Sequence, residues 1–144
     1  MRNWNIAMVF LGMTLSACTS GAGENAEERK ADYAEYVDLP TSITFDEGTY
    51  NFGEVIDGEM VKHTFHFTNT GDENLVLFDV KTSCGCTVPE NWPKQPIPPG
   101  EGGDIKVIFN SHDKVGKVNK SIRVEANTNP TVTSVFLTGE VLPE

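Results

Sequence analysis

Val61 to Asn69 reads VKHTFHFTN and alternates without a break. Val61, His63, Phe65 and Phe67 fall on one face; Lys62, Thr64, His66 and Thr68 fall on the other. A side-chain period of two is that of a strand packed on one side. The same period recurs along the chain. It groups Val76, Phe78 and Val80, then Ile105, Val107 and Phe109, then Val118, Ile122 and Val124, and finally Val135, Leu137 and Val141. Turn signals separate these runs: Asp57-Gly58, Thr70-Gly71-Asp72, Pro98-Pro99-Gly100, His112-Asp113 and Asn129-Pro130. About seven short strands in roughly a hundred residues, with no long helical pattern, predict an antiparallel β-sandwich over residues 43–144. A domain of that length buries a sufficient core without disulfides.

Upstream of this domain the composition differs. Arg2 is the one charged residue before Glu24, and an apolar stretch runs from Ile6 to Leu15. That stretch is shorter than a bilayer span and suits a signal-peptide core. Leu15-Ser16-Ala17-Cys18 follows and resembles the lipobox of bacterial lipoproteins, in which the cysteine is lipidated and becomes the first residue. Residues 1–17 are therefore expected to be a signal peptide. Cys18 is expected to carry acyl chains that hold a folded domain to a membrane outside the cytoplasm, the outer membrane in our reading. Residues 18–42 read as an acidic tether, flexible or partly helical. Asn25 is a candidate N-cap with Glu28 three residues on. The apolar face of that helix is thin: Ala26, Ala31, Tyr33, Ala34 and Val37.

Without residues 1–17 the chain holds 10 Lys and Arg against 21 Asp and Glu, a formal charge of −11. The lysines are scattered among the acids, so nucleic acid is not an expected partner. The acidity reads as a solubilising surface.

Four landmarks occur in order within the predicted sandwich. They are Tyr50-Asn51-Phe52-Gly53-Glu54-Val55, then Phe65-His66-Phe67-Thr68-Asn69-Thr70-Gly71, then Ser83-Cys84-Gly85-Cys86-Thr87, then Pro98-Pro99-Gly100-Glu101. With a closing VFLTGEV, they resemble the bacterial family catalogued as domain of unknown function 1573. The resemblance implies an immunoglobulin-like sandwich of the major-sperm-protein and Hydin type, commonly in envelope lipoproteins. It implies nothing firm about activity, because fold alone does not assign one. The residues themselves read as structural. Phe52-Gly53 is an aromatic anchor followed by a bend, Asn69-Thr70-Gly71 a turn calling for positive φ, and Pro98-Pro99-Gly100 a rigid turn.

Cys84-Gly85-Cys86 is the one motif with chemical potential. Residues two apart reach the same face of an extended chain, and Gly85 allows tight folding. Three readings stay open: a disulfide, with or without thiol exchange; a soft-metal site; or two cysteines packed at a strand-end turn. No cofactor is expected, and Cu(I) is the metal that two thiolates would suit. No histidine has the spacing of a ligand. His63 lies on the apolar face, His66 on the solvent face and His112 in a turn. Trp92 lies in a Pro-rich stretch soon after the cysteines, where it either contacts a partner or plugs the end of the sandwich.

No nucleophile elbow, zinc-protease or phosphate-loop motif occurs in the sequence. The expected function is a non-enzymatic binding or structural module, lipid-anchored and contacting another envelope protein. The contact is expected through a sheet edge or through the segment from Cys84 to Trp92. The alternative is copper binding or thiol redox work at Cys84 and Cys86. The anchor is tested by labelling with palmitate: the label is expected on the wild-type chain and absent from Cys18→Ser, which moves from the membrane pellet to the soluble fraction. A labelled Cys18→Ser chain would overturn that assignment.

Overall fold

A computed structural model describes residues 26–144. The signal peptide, Cys18 and the Asn25 cap lie outside the described residues. Eight strands form two four-stranded sheets. In the first sheet, β1 (Ile43–Phe45), β3 (Met60–Asn69), β6 (Gly102–Asn110) and β5 (Thr87–Asn91) lie side by side in that order. In the second, the order is β2 (Thr49–Ile56), β8 (Val132–Leu142), β7 (Gly116–Ala126) and β4 (Leu77–Thr82).

The first strand changes sheets. β1 pairs antiparallel with β3, the chain turns through Asp46, Glu47 and Gly48, and β2 then pairs parallel with β8. The sandwich is thus antiparallel except at this edge. Pairing direction leaves no mark on side-chain periodicity, so the sequence pattern did not reveal it. The two four-stranded sheets make a β-sandwich in which the first two strands belong to different sheets.

Between the sheets the predicted inner faces meet. Phe65, Phe67, Ile105, Val107, Phe109, Ile122, Val124, Val135, Leu137 and Val141 are all buried in one core. β4 departs from the simple alternation. Its register shifts between Leu77 and Asp79, so Leu77 and Val80 face the main core while Val76 and Phe78 belong to a second cluster. Val76, Phe78 and Val80 therefore do not share one face. A bulge inserts one residue and reverses the parity beyond it.

The second cluster is closed by the segment upstream of the sandwich. Helix α1 (Ala26–Asp32) lies against β4 and the short α2 (Ala34–Val37) against α1; Ala26 is buried with Val76 and Phe78, and Tyr33 and Tyr36 pack against that cluster. Arg29 is 3% exposed, and its guanidinium donates to the carbonyls of Leu77 and Lys94. The Tyr33 hydroxyl also donates to Lys94 O. Lys30 pairs with Glu125 on β7, and that hydrogen bond is the main cause of its raised pKa. From Ala26 onward, the stretch read as a tether is therefore docked on the domain.

Two buried asparagines fasten this end of the sandwich. Asn69 accepts from Thr41 Oγ1 at 2.9 Å and donates to the carbonyls of Glu73 and Ile97. Asn127 accepts from Val76 N at 2.7 Å and donates to the carbonyls of Leu39 and Asn74. Gly71 is needed here for close approach and not for a positive φ: a Cβ on it would collide with Thr41 Oγ1 and Ser42 N. Pro98 to Glu101 forms the expected turn, with Gly100 at φ 80° and Glu101 N donating to Pro98 O.

Gly139 explains the glycine of the closing landmark. A Cβ there would overlap the ring of Phe52, the aromatic anchor of β2, which stacks on Phe109. Gly139→Ala is expected to cost about 1–3 kcal/mol in denaturant unfolding, the usual size of an overpacking effect. Adding Phe52→Leu to that variant is expected to recover part of the loss. Arg29→Met keeps the volume but strips the donors from two carbonyls. It is expected to cost about 1–3 kcal/mol and to speed amide exchange over residues 26–37.

Candidate functional site

β4 and β5 belong to different sheets, and the crossover between them is Ser83-Cys84-Gly85-Cys86. Both cysteines are half-buried and are joined by a disulfide, with the sulfurs 2.04 Å apart. Hydrogen bonds hold this crossover independently of the sulfurs. Thr82 Oγ1 donates to the carbonyls of Cys84 and Thr87 at 2.9 and 2.6 Å. Ser83 N donates to Ser121 O, and Asn110 N donates to Cys86 O at 2.8 Å. Cys86 packs against the core, and Cys84 Sγ lies 4.0 Å from the Thr87 hydroxyl.

The disulfide lines a solvent-open hollow shared with Asn110, His112, Asp113 and Lys114. The hollow forms because the β6–β7 turn folds back beside the crossover. Asp113 takes the left-handed conformation at φ 57°, and Asp113 N donates to Asp57 Oδ1. Lys114 Nζ donates to the carbonyls of His112 and Asp113. His112 Nε2 lies 3.4 Å from Asp113 Oδ2, and its Nδ1 lies 4.0 Å from Asp57 Oδ1. His112 was read as a turn residue. The structure keeps it there but brings it to the rim of the cysteine hollow, a placement that no sequence spacing could show.

With each sulfur bonded to the other, neither is a thiolate available to a soft metal. Among the described residues no group of three or more His, Cys, Asp or Glu side chains is arranged to hold a metal ion. His63 is occupied otherwise: its Nε2 contacts Glu47 Oε1 at 2.7 Å and its ring stacks on Tyr50 at 3.6 Å. His66 pairs with Asp104 on the outer face of the first sheet.

Cys84 and Trp92 do not share one loop. Residues 87–91 form β5, so the cysteine pair and Trp92 stand at opposite ends of a strand. Trp92 is half-buried and packs against the main core, with Lys94 Nζ 2.9 Å from its ring centroid. Its Nε1 is buried and finds no hydrogen-bond acceptor among the described residues.

The apolar surface near the hollow was not visible in the sequence. Ile56, Met60, Val88 and Val115 are between 43% and 57% exposed, and they make up four of the seven exposed large apolar side chains among the described residues. All four lie at the cysteine end of the sandwich. Met60 pairs with Asn110, Val88 pairs with Ile108, Ser111 Oγ donates to Ile56 O, and Val115 belongs to the β6–β7 turn.

The comparisons place this geometry among other β-sandwiches. The chain is similar in fold to a protein of unknown function from Porphyromonas gingivalis W83, with a TM-score of 0.61 and 16% identity over 70% of this chain and 47% of that one. This chain therefore spans less than half of that protein. It is also similar to the ASH / PapD-like domain 7 of human CEP192, with a TM-score of 0.58 and 10% identity over 92% of this chain and 99% of that one. A third likeness is to the secreted serine protease VesC from Vibrio cholerae, with a TM-score of 0.55 and 14% identity over 79% of this chain and 25% of that one. At such identities the likeness concerns fold alone. No curated protein matches the sequence. Residues 43–141, which contain all eight strands except the last residue of β8, match the family described as protein of unknown function (DUF1573), and the chain belongs to that family.

Proposed function

We propose that this chain is a lipid-anchored, non-enzymatic module of the bacterial cell envelope that binds another envelope protein through its cysteine-bearing end. The observation that carries this reading is the gathering of Ile56, Met60, Val88 and Val115 at that end. Apolar side chains exposed together, and rimmed by polar ones, mark interaction surfaces. Here polar residues adjoin them: Asp57 follows Ile56, Asn110 pairs with Met60, and Lys114 precedes Val115.

The sheet edges are poor alternatives. β1 has three residues; β2 is bulged between Asn51 and Glu54 around Gly53. β5 carries Pro89 and is bulged next to it, and β4 is bulged and faces α1. Short, bulged or proline-bearing edges resist the addition of a further strand. The loop surface is thus favoured over strand addition.

The docked helix bears on the anchor. Seven residues, 19–25, lie between Cys18 and the first helical residue Ala26, and the eight steps of chain reach no farther than about 29 Å when fully extended. A lipidated Cys18 would keep the sandwich close to the bilayer, within reach of other proteins of the same membrane.

Site-specific photo-crosslinking in intact cells tests the reading. A crosslinker at Val88 or Val115 is expected to trap one discrete protein adduct. The same group at Phe136, exposed on the outer face of the second sheet, is expected to trap none. Equal labelling at all three positions, or none at any, would sink the proposal.

A further inference from the structure

We infer that Cys84 and Cys86 form a thiol-exchange site whose substrate class is a protein dithiol. The inference goes beyond the binding role and stands on the crossover itself, not on the docking of a partner.

Three observations carry it. First, the disulfide closes a ring with one residue between its cysteines, and it joins no two elements that are otherwise apart. A loop that small contributes little to folding stability. Secondly, the crossover is already fixed by hydrogen bonds from Thr82, Ser83 and Asn110 that involve no sulfur. Opening the bond would leave two thiols side by side in an unchanged loop. Thirdly, both cysteines are half-buried and line a hollow open to solvent, which the cationic Lys114 also lines. His112 is there as well, accompanied by the carboxylates of Asp57 and Asp113. Partly exposed cysteines beside cationic groups are the setting in which thiolates react.

The exchange balances as follows. A thiolate of the partner attacks Cys86 Sγ and forms a mixed disulfide. The Cys84–Cys86 bond breaks, and its electron pair leaves on Cys84 Sγ. The Thr87 hydroxyl, 4.0 Å from that sulfur, is placed to donate to it, a contact that strengthens once the sulfur is charged. The second partner thiolate then attacks the partner's own sulfur in the mixed disulfide and expels Cys86 as a thiolate. The partner loses two electrons and two protons; Cys84 and Cys86 gain both and end as thiols.

The test uses the full chain and a synthetic peptide bearing a Cys-Xaa-Xaa-Cys dithiol. Intact mass and alkylation follow both molecules at neutral pH. One peptide disulfide is expected per chain, with the chain gaining two hydrogens. The folded chain is expected to react about tenfold or more faster than the free oxidised hexapeptide of residues 82–87, because the fold presents the bond beside Lys114. The reduced chain and the Cys84→Ser, Cys86→Ser double variant are expected to melt within a few degrees of the oxidised chain. Thr87→Val is expected to slow the exchange about threefold or more without moving the melt. A folded chain that reacts no faster than the hexapeptide would overturn the inference. So would a large loss of stability on reduction, because the bond would then be a structural staple.

Discussion

Strand β4 is apolar on both faces, and the way its two faces are covered determines how much of the chain is folded. A strand at the edge of a sandwich needs one buried face. Leu77 and Val80 supply it, yet Val76 and Phe78 on the other side are also buried. Left wet, each of these side chains would forgo about 1.5–3 kcal/mol of burial. Helix α1 covers them, and it can approach closely because Ala26 is small and Arg29 carries its charge onto backbone carbonyls. A buried guanidinium is costly unless its N–H groups are matched. Here the Leu77 and Lys94 carbonyls accept from it. Helix and bulge meet at the same place: Val76 and Phe78 lie opposite Leu77, the bulge between Leu77 and Asp79 returns Val80 to the main core, and Arg29 reaches the carbonyl of Leu77 beside it.

That place also marks where sequence periodicity stops being informative. The inner faces of β3, β6, β7 and β8 were legible because their buried apolar residues keep to one parity along each strand, from Val61 to Phe67 and from Val135 to Val141. The inner face of β4 was not, because one inserted residue reverses parity and leaves the composition unchanged. Docking of α1 was hidden for a different reason. The docked segment makes its contacts with an alanine and an arginine of α1 and two tyrosines beyond it, a set that reads as thin on an amphipathic scale. Gly71 and Gly139 were visible as residues, but their reason lay in tertiary contacts with Thr41 and Phe52. The cysteine pair was legible as a motif. Its neighbours His112 and Lys114 come from a turn more than twenty residues away, joined to it through the pairing of β5 with β6.

The two ends of the sandwich carry different burdens. At one end Asn69 and Asn127 tie the incoming chain to the β3–β4 and β7–β8 connections and to the segment before β6, through buried and part-buried hydrogen bonds. Removing one partner of a buried hydrogen bond costs the full desolvation of the other, so this end tolerates little change. At the opposite end, the polar contacts of Asp57, His112, Asp113 and Lys114 are exposed to solvent, the large apolar side chains point outward, and the disulfide spans a single residue. Contacts of that kind contribute little each and can be exchanged for contacts with another molecule at small cost.

Stability is therefore concentrated in the core and at the asparagine end, while chemistry and exposed apolar surface are concentrated at the cysteine end. The separation has a physical consequence. A change of state at Cys84 and Cys86 alters charge and hydrogen bonding within a crossover whose backbone is held by Thr82, Ser121 and Asn110. Phe65, Phe109 and Ile122, fully buried between the sheets, belong to the core against which Cys86 packs. At the surface, reduction would be felt in the hollow that Cys84 and Cys86 line with Asn110, His112, Asp113 and Lys114. A partner seated there would meet a different surface in each state, and binding and redox state would be linked by whatever difference in affinity those two surfaces have.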